Sequence, residues 1–286
     1  HLNWRRWKNT GFVATIAIVL SFPLFLVRST LTGPKRMAET DRAYYVGSHT
    51  CIECHKIEYD LWLDSHHYHA MDTATPESVR GDFNNATFEW NGITNRFFKQ
   101  ENKLYVETPG PGGEMGIYEI SYTFGYEPLQ QYLIAFPGGR LQCLPIAWDT
   151  EKAQWFHLYD SVYDEEIKPD DWLYWTNNGQ NWNGMCADCH STDLRKNYDI
   201  QSRTFNTTWF EINVGCEACH GPSSEHLDWA KLPDIARPTN TNTGLLVRTS
   251  NITTREYVDQ CARCHARRGV LEDFKGVYQD VMDYMI

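Results

Sequence analysis

The pattern of apolar and polar positions changes character along the chain. From Gly11 to Val27 it runs GFVATIAIVLSFPLFLV, 17 residues with no charge, which is the short end of what spans a bilayer. Arg5, Arg6 and Lys8 precede this run, and Trp4 and Trp7 occupy the position of interfacial aromatics. The spacing therefore predicts one N-terminal transmembrane helix, with the N-terminus in the cytoplasm and everything after Arg28 outside. Pro23 within it is tolerated in membrane helices. The following stretch, RSTLTGPKRMAET, offers no A-x-A cleavage site, which favours a retained anchor over a removed leader. Residues 29–46 read as a polar tether, broken at Gly33-Pro34. From His55 to Met71, Ile57, Leu61 and Trp62 recur at helical steps, and the segment is expected to be a helix.

Residues 82–160 follow a different rhythm. Short β-branched and aromatic runs alternate with turn signals, which predicts strands at Ala86–Trp90, Lys103–Glu107, Gly116–Thr123, Tyr132–Phe136, Arg140–Trp148 and Gln154–Tyr159. Asn91-Gly92, Gly110-Pro111-Gly112-Gly113 and Pro137-Gly138-Gly139 supply turns. Residues 161–286 return to loops and short helices. The pattern divides the chain into an anchor (1–28), a tether (29–46), a first segment (47–81), an inserted antiparallel β module (82–160) and a last segment (161–286). The fold class is α+β. The final run, GVYQDVMDYMI, has no stop or cap, so a continuation of the chain is expected to be possible there.

Composition adds two constraints. Aromatic residues make up 14% of the chain, with 11 Trp and 16 Tyr, which suits wrapping a large flat cofactor and equally suits an aromatic core. The net charge of −11 argues against a nucleic-acid partner and favours basic or cation-bridged ones.

Cysteine changes the picture most. Eight of the nine cysteines form four C-x-x-C pairs: Cys51/Cys54, Cys186/Cys189, Cys216/Cys219 and Cys261/Cys264. Each pair is followed at once by a histidine: His55, His190, His220 and His265. C-x-x-C-H is the attachment signature of c-type heme. Two thiols add to the two vinyl groups of one porphyrin, so they must lie a short fixed distance apart, and the adjacent imidazole reaches the iron from one face. A zinc site would use four thiolates without requiring the histidines, and a redox dithiol occurs once rather than four times. Four covalently bound hemes are therefore expected. Cys143, the cysteine left over, is expected to be a buried free thiol.

A low-spin iron needs a second axial ligand. Apart from His1, the remaining histidines are His49, His66, His67, His69, His157 and His226. In a continuous helix His66 and His67 would stand roughly 17 Å from His55, too far to fold back onto the same iron, so they should serve a neighbouring one. Periodicity does not choose among His66, His67 and His69. His226 follows His220 across a Gly-Pro-Ser-Ser turn and is better placed for the next heme than for its own. His157 lies on an expected strand and would reach from the β module into the heme cluster. Met71 and Met185 are weaker thioether candidates.

The run YVGSHTCIECHKIEYDLWLDSHHYHAM, followed by GDFNNATFEW, PLQQYLIAFPGGRLQ, NWNGMCADCHST, GCEACHGPSSEH and CARCHARRG, resembles a widespread family of exported multiheme cytochromes c. These are related to the tetraheme electron carrier of ammonia oxidisers, and many are fused to tetratricopeptide repeats. The likeness covers roughly residues 44–270. It implies a distal ligand from the Ser-x-His element at Ser65-His66-His67, favouring His67, and supports His226 through Gly221–His226 and His157 through Trp155–Leu158. The repeats are missing here, and the extra histidines at 49 and 69 leave the fourth distal ligand open.

The expected activity is electron transfer by a membrane-anchored carrier or relay. Its partners would be redox proteins and other cytochromes, with the heme domain on the periplasmic or extracellular side. Two alternatives stand beside it. One is an oxidoreductase acting on a small nitrogen or sulfur species at an open heme. The other is a structural subunit of a membrane complex or self-assembled heme filament.

Overall fold

A computed structural model describes residues 43–160, 167–239, 242–267, 269 and 281–283. The expected anchor and nearly all of the tether lie outside these residues. Among the described residues no helix is long and apolar enough to cross a membrane. From Tyr44 onward the chain groups as one compact unit.

The β-rich stretch forms a single antiparallel sheet of nine strands. Its main path comprises β2 (Asn84–Trp90), β3 (Ile93–Gln100), β4 (Lys103–Pro109), β5 (Met115–Phe124), β6 (Leu129–Phe136), β8 (Ile146–Asp149) and β9 (Gln154–His157), in that order. Two strands lie off the path: β1 (Met71–Thr73) pairs with β5, and β7 (Arg140–Cys143) pairs with β6. Asn91 and Gly92 both have positive φ, 48° and 75°, the two-residue hairpin turn whose twist matches its flanking strands. The sheet curls until its ends meet. Trp90 of β2 stacks on His157 of β9 with ring centroids 3.5 Å apart, and the Trp90 indole donates to Asp160 at 3.0 Å.

One face of the curled sheet encloses Phe83, Phe97, Leu104, Tyr132, Ile134 and Trp155. Burying each large side chain contributes about 2–3 kcal/mol before entropy is counted. Phe97 lies flat on Trp155 at 3.6 Å. The other face packs Met71, Phe124, Leu133, Leu141 and Cys143 against Trp182, Ala187 and Leu194. Trp182 and Ala187 belong to α2 (Trp182–Met185) and α3 (Ala187–His190). This second core fixes the second C-x-x-C-H motif to the sheet.

The sequence reading differs from the fold at several places. The helix expected from His55 to Met71 ends early: α1 spans Lys56–Leu63. Ser65 captures the Trp62 carbonyl with both its backbone N–H (2.9 Å) and its hydroxyl (2.6 Å), and Met71 is already extended in β1. Strand β3 has no counterpart in the sequence reading. The strand expected over Arg140–Trp148 is interrupted at Leu144-Pro145, and both pieces, β7 and β8, pair with β6. The remaining helices are α4 (Cys216–His220), α5 (Ser224–Lys231) and α6 (Thr254–His265), and a small hairpin joins β10 (Tyr198–Asp199) to β11 (Thr204–Phe205).

Candidate heme-binding sites

Each C-x-x-C-H motif curls into a helical turn, which brings its two sulfurs to one face. In the first motif the Cys51 carbonyl accepts from Cys54 N–H at 3.3 Å and His55 N–H at 2.9 Å. The second motif forms α3, with Cys186 at its N-terminal cap. The third is α4 itself. The fourth is the last turn of α6, a helix begun by a capping box in which Thr253 and Glu256 satisfy each other's backbone donors.

The variable residues inside the motifs tie the sites together. Glu217 of the third motif is 2% exposed. Its carboxylate accepts from Val46 N–H, Gly47 N–H, Ser223 N–H and the Ser223 hydroxyl at 2.7–3.1 Å. This holds the chain entering the first motif against the third. Arg263 of the fourth motif donates to the Ala218 carbonyl of the third at 3.2 Å and meets Asp188 of the second at 3.7 Å.

The thiols give the order of the sites. Cys51 lies beside Cys216, Cys219 lies near Cys261, and Cys189 meets Cys264, with its Sγ 3.9 Å from the Cys264 carbonyl oxygen. The motifs thus touch in the series first, third, fourth, second. Cys143, 3% exposed, belongs to the core cluster against which Cys186 of the second motif packs.

The histidines fall into two classes. His55 faces His226 with ring centroids 6.1 Å apart, and His67 faces His265 at 6.2 Å. A metal–imidazole bond is about 2 Å and the ring centre lies about 1 Å further out, so two imidazoles on one iron have centroids about 6 Å apart. Both pairs stand at that spacing. The Nδ1 of His226 lies 2.7 Å from the Thr243 carbonyl oxygen and that of His190 lies 2.9 Å from the Ala70 carbonyl oxygen. Such a bond places the proton on Nδ1 and leaves Nε2 free for a metal. Burial lowers the pKa of His67, His190 and His220, which favours the neutral, ligating form. Apolar side chains beside the motifs are open to solvent, Ile57 at 74% and Leu61 at 71% on α1, Tyr257 at 62% and Val258 at 52% on α6, surfaces that a porphyrin face would cover. On spacing, tautomer and surroundings, these residues fit c-type heme.

The other candidates have different surroundings. His157 is 6% exposed and lies flat on Trp90, and its Nδ1 accepts the Tyr159 N–H at 3.2 Å. The neutral ring therefore carries its proton on Nε2. Burial holds its pKa down at about 4. Its ring forms one wall of a cavity of about 290 Å³, with Trp90, Tyr159, Tyr174 and Trp175, into which no motif residue projects. His69 stacks on Tyr126 at 4.0 Å, and His66 and His49 are exposed. Met71 is buried in the core and Met185 is 60% exposed.

The chain matches the family model described as cytochrome c554 and c-prime over residues 50–95 and 147–221. Those segments include the first three motifs. No curated protein matches the chain. Among solved structures it is similar to the outer cell wall cytochrome OcwA, with 17% identity and a TM-score of 0.52 over 85% of this chain and 44% of that one. A second match is the undecaheme cytochrome from the S-layer of Carboxydothermus ferrireducens, with 16% identity and a TM-score of 0.39 over 79% of this chain and 26% of that one. The chain thus spans less than half the length of either structure. The repeated C-x-x-C-H motifs, the paired imidazoles and a cytochrome c family model matching across three of the motifs together support a multiheme c-type cytochrome.

Proposed function

We propose that this chain is a tetraheme cytochrome passing electrons through closely packed hemes on the outer face of a membrane, as a carrier or relay subunit. The observation that carries the reading is the pairing of His55 with His226 and of His67 with His265 within motifs held in mutual contact. Cys51/Cys54, Cys186/Cys189, Cys216/Cys219 and Cys261/Cys264 attach the four groups, and His55, His190, His220 and His265 are the proximal ligands. His226 closes the first site and His67 the fourth. Bound heme supplies a reversible one-electron couple, and the chain sets its ligation, burial and local charge. The apolar run at 11–27 tethers the unit. Likeness in fold to a cytochrome named for the outer cell wall supports a periplasmic or extracellular position. Redox proteins and other cytochromes are the partners.

A second reading has one observation in its favour. The ring of His190 meets the edge of Phe124 at 5.4 Å, and among the described residues no histidine stands opposite it at the spacing of the two pairs. An iron open there would suit conversion of a small nitrogen or sulfur species.

Intact mass and ferric spectra test both readings. The tetraheme reading expects four hemes per chain, and His226→Ala should convert one heme equivalent from low to high spin. Fewer than four hemes, or an unchanged spin state in the variant, defeats the assignment. Carbon monoxide or nitrite binding to the unmodified protein would favour the open iron.

A further inference from the structure

Two charged side chains, Glu217 and Arg263, are buried among the motifs, Glu211 and Asp188 are half-buried beside them, and the four are not evenly distributed. Glu217 accepts hydrogen bonds on both oxygens. Four of its five contacts come from backbone N–H groups, which can only donate, and the fifth from the Ser223 hydroxyl. Every one of these contacts is a kind that a carboxylate accepts. Glu211 stands beside it between the same two motifs. It takes the Ser48 N–H at 3.0 Å and the Ser48 hydroxyl at 2.9 Å, while Ser48 Oγ accepts Cys216 N–H at 2.9 Å. All of these donors are neutral. The junction of the fourth and second motifs differs: Arg263, 4% exposed, sits between Cys261 and Cys264 and faces Asp188, which sits between Cys186 and Cys189.

We infer that these buried charges divide the series of sites into a low-potential end at the first and third motifs and a higher-potential end at the fourth and second. The inference rests on the tetraheme reading above. Reduction adds negative charge to a site. A carboxylate held in a poorly screened interior opposes that addition, and a guanidinium favours it. Glu211 and Glu217 act on the first and third sites, and among the described residues neither has a cation in hydrogen-bond contact. Arg263 also reaches the third site through the Ala218 carbonyl, where two carboxylates outnumber its single charge, and at the other end it faces Asp188 alone. Electrons entering at the first or third motif would therefore run downhill to the fourth and second. Glu211, Glu217 and Arg263 are positioning residues in this scheme: they act through the cofactor's environment without ligating it.

Potentiometric titration of the full holoprotein, followed by absorbance, tests the division. Hemes are first counted by intact mass, and potentials are assigned with variants lacking the first pair (Cys51→Ser, Cys54→Ser) or the second (Cys186→Ser, Cys189→Ser). Glu217→Gln should raise the lowest potentials and leave the highest in place. Glu211→Gln should do the same and serves where the Glu217 variant does not fold. Arg263→Gln should lower the upper potentials, and Arg263→Lys should restore them, which a loss of packing alone would not predict. A Gln variant of either glutamate that leaves every potential unchanged, or shifts all equally, overturns the inference. So does a lowest potential assigned to the second motif. A heme count below four would instead refute the tetraheme reading beneath it.

Discussion

Two histidines of this chain illustrate how the tautomer of an imidazole decides what it can ligate. His226 points Nδ1 at the Thr243 carbonyl, whereas His157 receives the Tyr159 N–H on the same atom. The first arrangement frees Nε2 for iron, and the second fills Nε2 with a proton. This difference depends on backbone groups that no local pattern names, so the sequence reading placed both residues in one class. His157 has a separate consequence for stability. Its folded pKa of about 4 lies below the ordinary histidine value of 6.5, so the unfolded chain takes up the proton first as pH falls. The stability from keeping it neutral is complete above pH 6.5, is lost between 6.5 and about 4, and changes no further below that. The loss is on the order of 2 kcal/mol. Comparing denaturation midpoints at pH 7 and pH 5 for the parent protein and His157→Phe checks it: the parent should lose more than the variant, and equal losses would place the pH dependence elsewhere.

At the scale of elements, each departure from the sequence reading has a local cause. Strand β3 is not legible in the sequence because Asn95 interrupts its apolar alternation. Asn95 is nonetheless buried, taking the Thr108 hydroxyl at 2.6 Å and donating to the Phe88 carbonyl at 3.2 Å. A polar side chain satisfied this way behaves as core, but the donor it needs lies on another strand. The apolar spacing of Ile57 and Leu61 suggested a helix, and both side chains stay exposed on α1. Turn chemistry, which is local, was legible: Asn91-Gly92 and Pro137-Gly138-Gly139 are turns. Their glycines answer to different demands. Gly92 has φ 75° with open space around it, whereas Gly139 has φ 70° and a Cβ there would collide with the Phe205 carbonyl oxygen. Gly92→Ala should therefore cost about 1 kcal/mol, for backbone strain alone. Gly139→Ala should cost about 2–3 kcal/mol, because β11 must also move. Chemical denaturation of the two variants measures the difference, and equal costs would show that the β11 contact does not constrain the turn.

The whole molecule is organised by contacts that skip along the sequence. The first motif touches the third, the third the fourth, and the fourth the second, while the second core fixes the second motif to the sheet. The four motifs could be counted from the sequence, but not this order, because it is set by side-chain contacts made inside the motifs, those of Glu217, Arg263 and Asp188. If electrons follow the order of contact, the fourth site is a bridge and the second is an end. Removing each has a different effect. With Cys261→Ser and Cys264→Ser the protein should carry one heme fewer, and the second site should be cut off from the first and third. With Cys186→Ser and Cys189→Ser it should also carry one heme fewer, but the other three should remain in one series. After a brief flash of photoreductant, redistribution of electrons among the hemes should slow by at least about tenfold in the first variant, a rise of about 1.4 kcal/mol in the barrier, and should keep its rate in the second. Similar rates in both would mean that the sites communicate by a route other than this series, and a faster loss of communication in the second variant would reverse the order drawn from the thiol contacts.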